Sequence, residues 1–203
     1  MERSNAVTSL LERPAVYALW QAPFARKKLR PVVESPAFAT AQSILDVGCG
    51  PGTNAPFFKG RDYLGIDLNP RYISRAKRKY GMSFEAADAT SWHPPGGKSY
   101  DLVLINSLLH HLDDTQTDRV LATISSLLGA KGEVHILDLV LPSTLSPARV
   151  LARLDRGEHP RPLAHWMEIF QRHFLQQQCY PYPLTLARLT LWQMIYFRGS
   201  ALS

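Results

Sequence analysis

The chain has 203 residues, of which 45% are hydrophobic and 20% are charged. These values predict one globular domain, and no apolar run reaches the roughly 18 residues that could span a bilayer. The net charge is +6, and two cysteines are too few for a disulfide framework. Because the N-terminus also lacks the apolar core of a secretory signal, we expect a reduced, cytoplasmic protein.

The predicted elements form two unequal segments. Residues 1–40 read as helical and are predicted to be an N-terminal lid. Residues 41–203 alternate short β-rich runs with helical patterns, which is typical of a parallel sheet with crossover helices. The five predicted parallel strands are 43–48, 62–69, 82–89, 100–107 and 132–140. The predicted helices are 70–80, 113–129 with Gly129 as its stop signal, and 161–174.

The tail changes character after the last helix. Residues 178–186 and 189–199 are predicted to be two further strands that close the sheet as an antiparallel pair, and their prolines favour the sheet edge. The fold class is therefore α/β: a Rossmann-like, doubly wound, mostly parallel sheet of about seven strands. It carries a C-terminal antiparallel hairpin and the N-terminal helical lid.

A glycine cluster follows the first strand, in "SILDVGCGPGTN" at residues 43–54. Ligands of open parallel sheets bind beyond the carboxyl ends of the strands, where strand order reverses. Without Cβ atoms, Gly48, Gly50 and Gly52 would let a ligand lie against the backbone and leave N–H groups free to donate. The pattern is neither a dinucleotide motif, because Thr53 stands at the third glycine position, nor a phosphate-binding loop, because no Gly-Lys-Ser/Thr follows. A purely structural turn is the alternative.

Two aspartates end the next two strands. Asp67 follows the glycines at about the 20-residue spacing of a carboxylate that accepts hydrogen bonds from a ribose diol. Asp88 ends the third strand at the same edge, where a carboxylate can accept from an exocyclic amine. A turn or cap role is the alternative for each. Their recurrence at successive strand ends favours a nucleoside-containing ligand.

The segments "ILDVGCGPGTN", "YLGIDLNP", "FEAADAT" and "YDLVLINSLLHHLDD" resemble the successive motifs of class I S-adenosylmethionine-dependent methyltransferases. They are most similar to the small-molecule branch that includes the ubiquinone/menaquinone-biosynthesis type, and the likeness covers residues 43–140. The resemblance implies S-adenosylmethionine as cofactor, with S-adenosylhomocysteine as its product. It also implies methyl transfer to a small molecule. We expect this acceptor to be apolar or aromatic, because an aromatic lid would exclude water, and we favour O-methylation over C- or N-methylation. We expect no metal, because no carboxylates cluster around the acceptor position.

The same resemblance implies residue roles. Asp46 and the Gly48–Gly52 turn would hold the amino-acid end of the cofactor, Asp67 the ribose, and Asp88 the adenine amine. Asn106, just past the fourth strand, would lie near the sulfonium. The full set of implied cofactor contacts is Asp46, Gly48, Cys49, Gly50, Gly52, Asn54, Asp67, Leu68, Asp88, Ala89 and Asn106.

Three residues are candidates for acid–base chemistry. His110 and His111 follow the fourth strand, and adjacent side chains point in different directions, so at most one faces the acceptor. We favour His111 as general base and substrate contact, with a packed structural role as the alternative for both. Asp138, near the end of the fifth strand, could orient a histidine or accept from a substrate hydroxyl. Its alternative role is a loop anchor or helix cap.

Aromatic residues of the lid are candidate substrate contacts. Tyr17 and Trp20 have helical spacing, which is typical of a core face but would also suit an aromatic lid that excludes water. Arg26, Lys27 and Lys28 follow, and we expect them to be solvated, with a grip on an acidic substrate group as the alternative. The apolar run "TLWQMIYFRG" in the tail reads as a buried strand, although contact with a membrane surface is its alternative.

The basic charge raises nucleic acid as a rival partner. The five basic residues within 71–79 fit a solvated helix face. Nucleic-acid methyltransferases of similar fold carry an Asn/Asp-Pro-Pro-aromatic motif or a cysteine nucleophile after the fourth strand. This sequence has neither at that position. We therefore predict a small-molecule acceptor. A nucleic-acid methyltransferase and a non-catalytic S-adenosylmethionine-binding protein are the alternatives, and the oligomeric state is left open.

Overall fold

The computed structural model describes residues 24–154 and 158–202, and its centre is one seven-stranded sheet. The strands are β1 Ser43–Val47, β2 Asp62–Asp67, β3 Ser83–Ala86, β4 Tyr100–Asn106, β5 Leu128–Leu139, β6 Phe174–Leu186 and β7 Leu189–Ala201. Their order in the sheet is β3-β2-β1-β4-β5-β7-β6. The first five are parallel, and β7 pairs antiparallel with both β5 and β6. The predicted doubly wound sheet with a C-terminal hairpin is confirmed, and strand order reverses between β1 and β4.

Six α-helices flank the sheet in the described residues. They are α1 Ala25–Val33, α2 Pro36–Thr40, α3 Pro70–Tyr80, α4 Asp114–Leu127, α5 Pro147–Leu154 and α6 Leu163–Gln171. Local chemistry fixes their ends: Pro70 opens α3 after an Asn69 side-chain cap, and Gly81 ends it in the left-handed region. Short 3-10 turns cover Ala55–Phe58, Pro95–Gly97 and Leu109–His111.

The sheet buries apolar side chains on both faces, as central parallel strands require. One face packs against α1, and its cluster includes Leu29, Val32, Ile44, Leu104 and Leu137. The other packs against α4 and α6, and its cluster includes Leu45, Val103, Val120, Ile136 and Trp166. Each fully buried large apolar side chain contributes about 1.5–3 kcal/mol. The edge that carries the strand ends is thus held by a close-packed body on both sides.

The structure differs from the predicted elements at several ends; for example, Phe174, predicted as the last residue of a helix, begins β6. The predicted stop at Gly129 is wrong, because α4 ends at Leu127 and Leu128 turns directly into β5. The glycines here serve strand contact: a Cβ on Gly132 would lie 2.5 Å from the Tyr100 carbonyl oxygen, at an irregularity in the β4–β5 register. Helix α5, which has eight residues, was not predicted at all.

Surface features also bear on the partner predictions. The basic residues of α3 are exposed, so they form the expected solvated face. Leu191, Trp192 and the residues from Met194 to Phe197 are buried in β7, so this run is a core strand and offers no apolar face to a membrane. No helix within 24–154 or 158–202 is long and apolar enough to cross a bilayer. Tyr17 and Trp20 lie outside the described residues.

Candidate active site at the carboxyl edge of the sheet

The glycine turn after β1 adopts a conformation that side chains disfavour. Gly48, Gly50 and Gly52 have φ values of 69°, 55° and 78°. A Cβ on Gly48 would meet the Leu108 side chain at 3.0 Å, and one on Gly52 would meet Ala76, Phe84 and Tyr80 at the same distance. A Cβ on Gly50 would have nothing within 4 Å. Two of the glycines therefore serve packing, whereas Gly50 borders open space.

The amides of this turn are bonded within the protein. Cys49 N donates to Ile66 O, Gly50 N to Asp67 Oδ2 at 2.8 Å, and Gly52 N to Cys49 O. The expectation that the glycines leave their N–H groups free is wrong for Gly50 and Gly52, because Gly50 bonds to the end of β2 and Gly52 bonds within the turn. The thiol of Cys49 is buried, which raises its pKa. What the turn offers a ligand is its shape.

Asp67 and Asp88 lie at neighbouring strand ends, as predicted. Asp67 Oδ2 holds Gly50, and its Oδ1 accepts from Asn69 N at 2.8 Å. Each carboxylate oxygen can accept a second hydrogen bond, so Asp67 can still receive a ligand hydroxyl. Asp88 is exposed, and hydrogen bonds from the backbone and hydroxyl of Thr90 to its Oδ1 lower its pKa. Both carboxylates are therefore available as acceptors along one edge.

The remaining predicted cofactor residues beside Asp67 and Asp88 differ in exposure. Leu68 follows Asp67 and is 72% exposed. Ala89 follows Asp88 and is half-buried, packed against the core on the α4 side. The backbone N–H of Ala87 donates to Asp67 O at 3.0 Å, which ties the end of β3 to that of β2.

Asp46 lies beneath the glycine turn and is fully buried. Its carboxylate accepts from Tyr63 Oη at 2.9 Å and from Asn54 Nδ2 at 3.3–3.4 Å. Burial raises the pKa of Asp46 to about 7, although the bonds from Tyr63 and Asn54 act in the opposite direction. Gly65 pairs with Asp46 across β1 and β2, and a Cβ there would lie 2.8 Å from the Tyr63 hydroxyl. Glycine at this position lets the tyrosine reach the buried carboxylate.

The hydrogen bonds continue from Asp46 across the point where strand order reverses. Asn54 Oδ1 accepts from Asn106 Nδ2 at 3.3 Å, which links the glycine turn to the end of β4. Asn106 Oδ1 is buried and has no hydrogen-bond partner among the described residues. A buried acceptor without a partner is destabilising, so this atom is suited to a donor on a bound ligand.

The three acid–base candidates lie together at the ends of β4 and β5. His110 is buried, and its Nδ1 lies 2.6 Å from Asp138 Oδ1. Asp138 also accepts from Leu109 N at 2.8 Å and Leu139 N at 2.6 Å. Burial opposes ionisation of Asp138, but the pairing with His110 and the two N–H bonds outweigh it, so its pKa is lowered. An ionised Asp138 places the proton on Nδ1 of His110.

His111 is exposed on the same turn, and its ring centroid lies 4.2 Å from that of His110. The two histidines thus differ as predicted, one facing inward and one outward. Asp138 orients a histidine, and that histidine is His110.

Sequence reasoning missed two buried cations near this edge. Lys28 is only 8% exposed, and its Nζ donates to Ser107 Oγ, so the expectation of a solvated residue is wrong. Its spacing of four from the buried Phe24 places both on one helix face, a signal that was present in the sequence. Arg161 is 3% exposed and lies between two prolines in the loop before α6, although the predicted helix 161–174 began with it.

Within the described ranges, no three His, Cys, Asp or Glu side chains are grouped as a metal ion would require.

Residues 44–132 match the methyltransferase domain family. Among curated proteins, the chain is 32% identical over 113 residues to a trans-aconitate 2-methyltransferase of Delftia acidovorans, covering 51% of this chain and 41% of that protein. It is 30% identical over 146 residues to the corresponding enzyme of Methylobacterium nodulans, covering 68% and 54%. An O-methyltransferase of Penicillium expansum is 32% identical over 126 residues, covering 57% and 44%. The chain thus spans about half the length of these relatives.

Solved structures share the whole fold. The N-methyltransferase NodS of Bradyrhizobium japonicum, solved with S-adenosylhomocysteine, superposes with a TM-score of 0.69 at 17% identity, covering 96% of this chain and 91% of NodS. A TehB-like methyltransferase of Corynebacterium glutamicum gives 0.63 at 18% identity, covering 92% and 96%. Residues 44–132 therefore match the methyltransferase domain family, and the chain has the α/β fold of the S-adenosylmethionine-dependent methyltransferases among these structures.

Proposed function

We propose that this protein binds S-adenosylmethionine at the glycine turn and directs its methyl group to a small acceptor. The observation that carries the proposal is Gly50, which borders open space and donates its N–H to Asp67. This arrangement joins a backbone cradle to a carboxylate at the ribose position, where strand order reverses. When bound, the cofactor supplies an electrophilic methyl group on a sulfonium.

The residues at the edge fit the parts of this cofactor. Asp67 would accept from the ribose hydroxyls, and Asp88 from the adenine amine beside Ala89. The buried Oδ1 of Asn106 would accept from the amino group of the amino-acid end. Asp46, being fully buried, would act through Asn54 by holding the turn in place.

An oxygen acceptor with apolar or aromatic character is favoured. At the carboxyl end of β5 and the beginning of β7 lies a buried apolar cluster formed by Phe24, Leu139, Ala152, Leu184, Leu191, Trp192 and Met194. The names of the relatives include O-methyltransferase and trans-aconitate methyltransferase, which support transfer to oxygen. His111, exposed at the same edge, would take the proton that a hydroxyl acceptor loses, while His110 and Asp138 hold its turn. The closer likeness to ubiquinone/menaquinone-type enzymes stays a prediction.

Calorimetric titration with S-adenosylhomocysteine tests cofactor binding. We expect micromolar affinity, about 8 kcal/mol, in the unmodified protein and a loss of most of it in Asp67→Ala. Asp62→Ala is the matched control, because Asp62 begins the same strand at the opposite sheet edge and pairs with the surface residue Lys98. Equal affinity in all three proteins would contradict the assigned site.

Turnover distinguishes a transferase from a binding protein. S-Adenosylmethionine is incubated with trans-aconitate or with a phenol, and S-adenosylhomocysteine is measured with and without acceptor. Product that forms only with acceptor supports transfer. Tight binding without turnover across a broad acceptor panel favours the non-catalytic alternative.

A further inference from the structure

We infer that Arg161 is a positioning residue that fixes the turn carrying His110 and His111. The inference rests on the proposed function, because it gives that turn its role. Arg161 lies outside the matched family segment, in the loop before α6, and its guanidinium is buried.

The guanidinium binds both ends of the histidine turn. Its Nη1 donates to Leu109 O at 3.1 Å, and its Nη2 donates to Leu112 O at 2.8 Å. The two carbonyls flank His110 and His111 in the chain. Close by, His159 N donates to His110 O at 3.0 Å. The loop 158–162 therefore holds three carbonyls of one short turn.

Arg161 is itself anchored on the far side. Its Nε donates to Asp114 Oδ1 at 2.7 Å, and its Nη2 lies 3.4 Å from Thr117 Oγ1, so the first turn of α4 fixes the guanidinium. The guanidinium carbon lies 4.7 Å from the centre of the Trp166 ring. Only a planar group with five N–H donors can meet these acceptors together, and a lysine ammonium cannot.

The turn is consequently held from two sides. Asp138 binds the N–H of Leu109 and the ring of His110 from the sheet, while Arg161 binds the carbonyls of Leu109 and Leu112 from the loop. If the hydrogen bonds from Arg161 are lost, the turn can shift along the sheet edge. The 2.6 Å contact between His110 and Asp138 would change with it and therefore reports the shift. Displacement of about 1 Å in a positioned group is enough to lower a rate by about 100-fold.

Nuclear magnetic resonance on the full chain labelled with ¹⁵N-histidine tests this role without an acceptor. The unmodified protein should show a downfield proton on Nδ1 of His110, assigned by its loss in Asp138→Asn. In Arg161→Lys we expect that signal to move upfield or disappear. Exchange of the His111 amide should become about tenfold faster, the factor expected for loss of one hydrogen bond. Arg172→Lys, which alters an exposed ion pair to Asp118 of α4, should change neither the signal nor the exchange rate.

A folded Arg161→Lys with an unmoved signal and unchanged exchange overturns the inference. Should that variant fail to fold, Asp114→Asn removes the half-exposed carboxylate that anchors the guanidinium and also pairs with His165, and the same shift, smaller, is expected. An unmoved signal there overturns the inference equally. S-Adenosylhomocysteine titrations of the same samples separate the two proposals: absence of binding in the unmodified protein contradicts the proposed function and leaves the resonance test intact.

Discussion

The backbone N–H of Gly50 donates to Oδ2 of Asp67 at 2.8 Å, so the glycine turn and the end of β2 form one unit. Hydrogen bonds from Cys49 N to Ile66 O and from Asn69 N to Asp67 Oδ1 strengthen the same junction. The cradle is therefore formed by the protein's own contacts before any ligand arrives, which lowers the ordering cost of binding.

Replacing Gly50 by alanine should weaken cofactor binding specifically. Gly50 and Gly81 have similar positive φ values, 55° and 62°, and neither has an atom within 4 Å of an added Cβ. Alanine at either should therefore cost about 1–2 kcal/mol of folding stability. Only Gly50→Ala places its methyl group in the ligand space, so its affinity for S-adenosylhomocysteine should fall about tenfold or more, about 1.4 kcal/mol. Calorimetry and thermal unfolding of both variants check this, and equal affinities would contradict it.

Asp46 should make the protein less stable as pH rises from about 4 to 7. Its pKa is raised from 3.8 to about 7 in the folded state, so between these values the folded chain binds a proton that the unfolded chain lacks. Below pH 4 Asp46 makes its full contribution to the free energy of unfolding, on the order of 4 kcal/mol, and this contribution is lost by pH 7. Asp46→Asn removes the titration. Urea unfolding across pH 4.5–7.5 should show the variant gaining stability relative to the unmodified protein as pH rises.

The matched control for that prediction lies on β2. Tyr63→Phe removes the 2.9 Å hydrogen bond that lowers the pKa of Asp46, so the loss of stability should extend to higher pH. A pH dependence that Asp46→Asn leaves unchanged would assign it to other groups.

His135 should have the opposite dependence on pH. It is fully buried between β5 and β7, with Nδ1 2.9 Å from the Tyr196 hydroxyl. Burial, with a smaller contribution from the charge of Arg198, lowers its pKa from 6.5 to about 3. The unfolded chain therefore binds a proton below pH 6.5 that the folded chain refuses, and up to on the order of 5 kcal/mol is lost as pH falls toward 3.

His135→Gln keeps a hydrogen-bonding group opposite Tyr196 and removes the titration. The same urea series should show the variant overtaking the unmodified protein as pH falls below 6.5. Parallel curves for the two proteins would mean that His135 takes up its proton as readily in the folded state as in the unfolded chain.

The edge of the site followed from the sequence because parallel strands bring their carboxyl ends together. From the sequence alone, that rule predicted that Asp67, Asp88 and Asp138 lie at one edge of the sheet. It could not show that Asp46 faces inward toward Tyr63, since this contact depends on the register that pairs Asp46 with Gly65. Residue type alone suggests a ligand contact there, whereas packing makes it a support.

The direction of side chains was the second feature that the sequence could not predict. Two adjacent histidines must diverge, but which one is buried depends on where β5 ends relative to β4, and thus on Asp138. The burial of Arg161 was not predicted, because the sequence pattern placed it at the start of a helix. It lies instead in the loop before α6 and binds backbone carbonyls more than forty residues away. Contacts of this kind are set by tertiary packing, which periodicity does not encode.

Replacing His110 or His111 by phenylalanine should affect the stability and the turnover of the protein differently. His110→Phe keeps a ring but leaves the buried carboxylate of Asp138 without its partner, so we expect a loss of about 3 kcal/mol in the free energy of unfolding. His111→Phe alters an exposed side chain and should change that free energy by no more than about 0.5 kcal/mol. With a hydroxyl acceptor, its kcat should nevertheless fall about 100-fold, the usual contribution of a general base. S-Adenosylhomocysteine formation measures turnover in both, and a fully active His111→Phe would remove His111 from the proposed chemistry and leave the histidine turn a purely structural support.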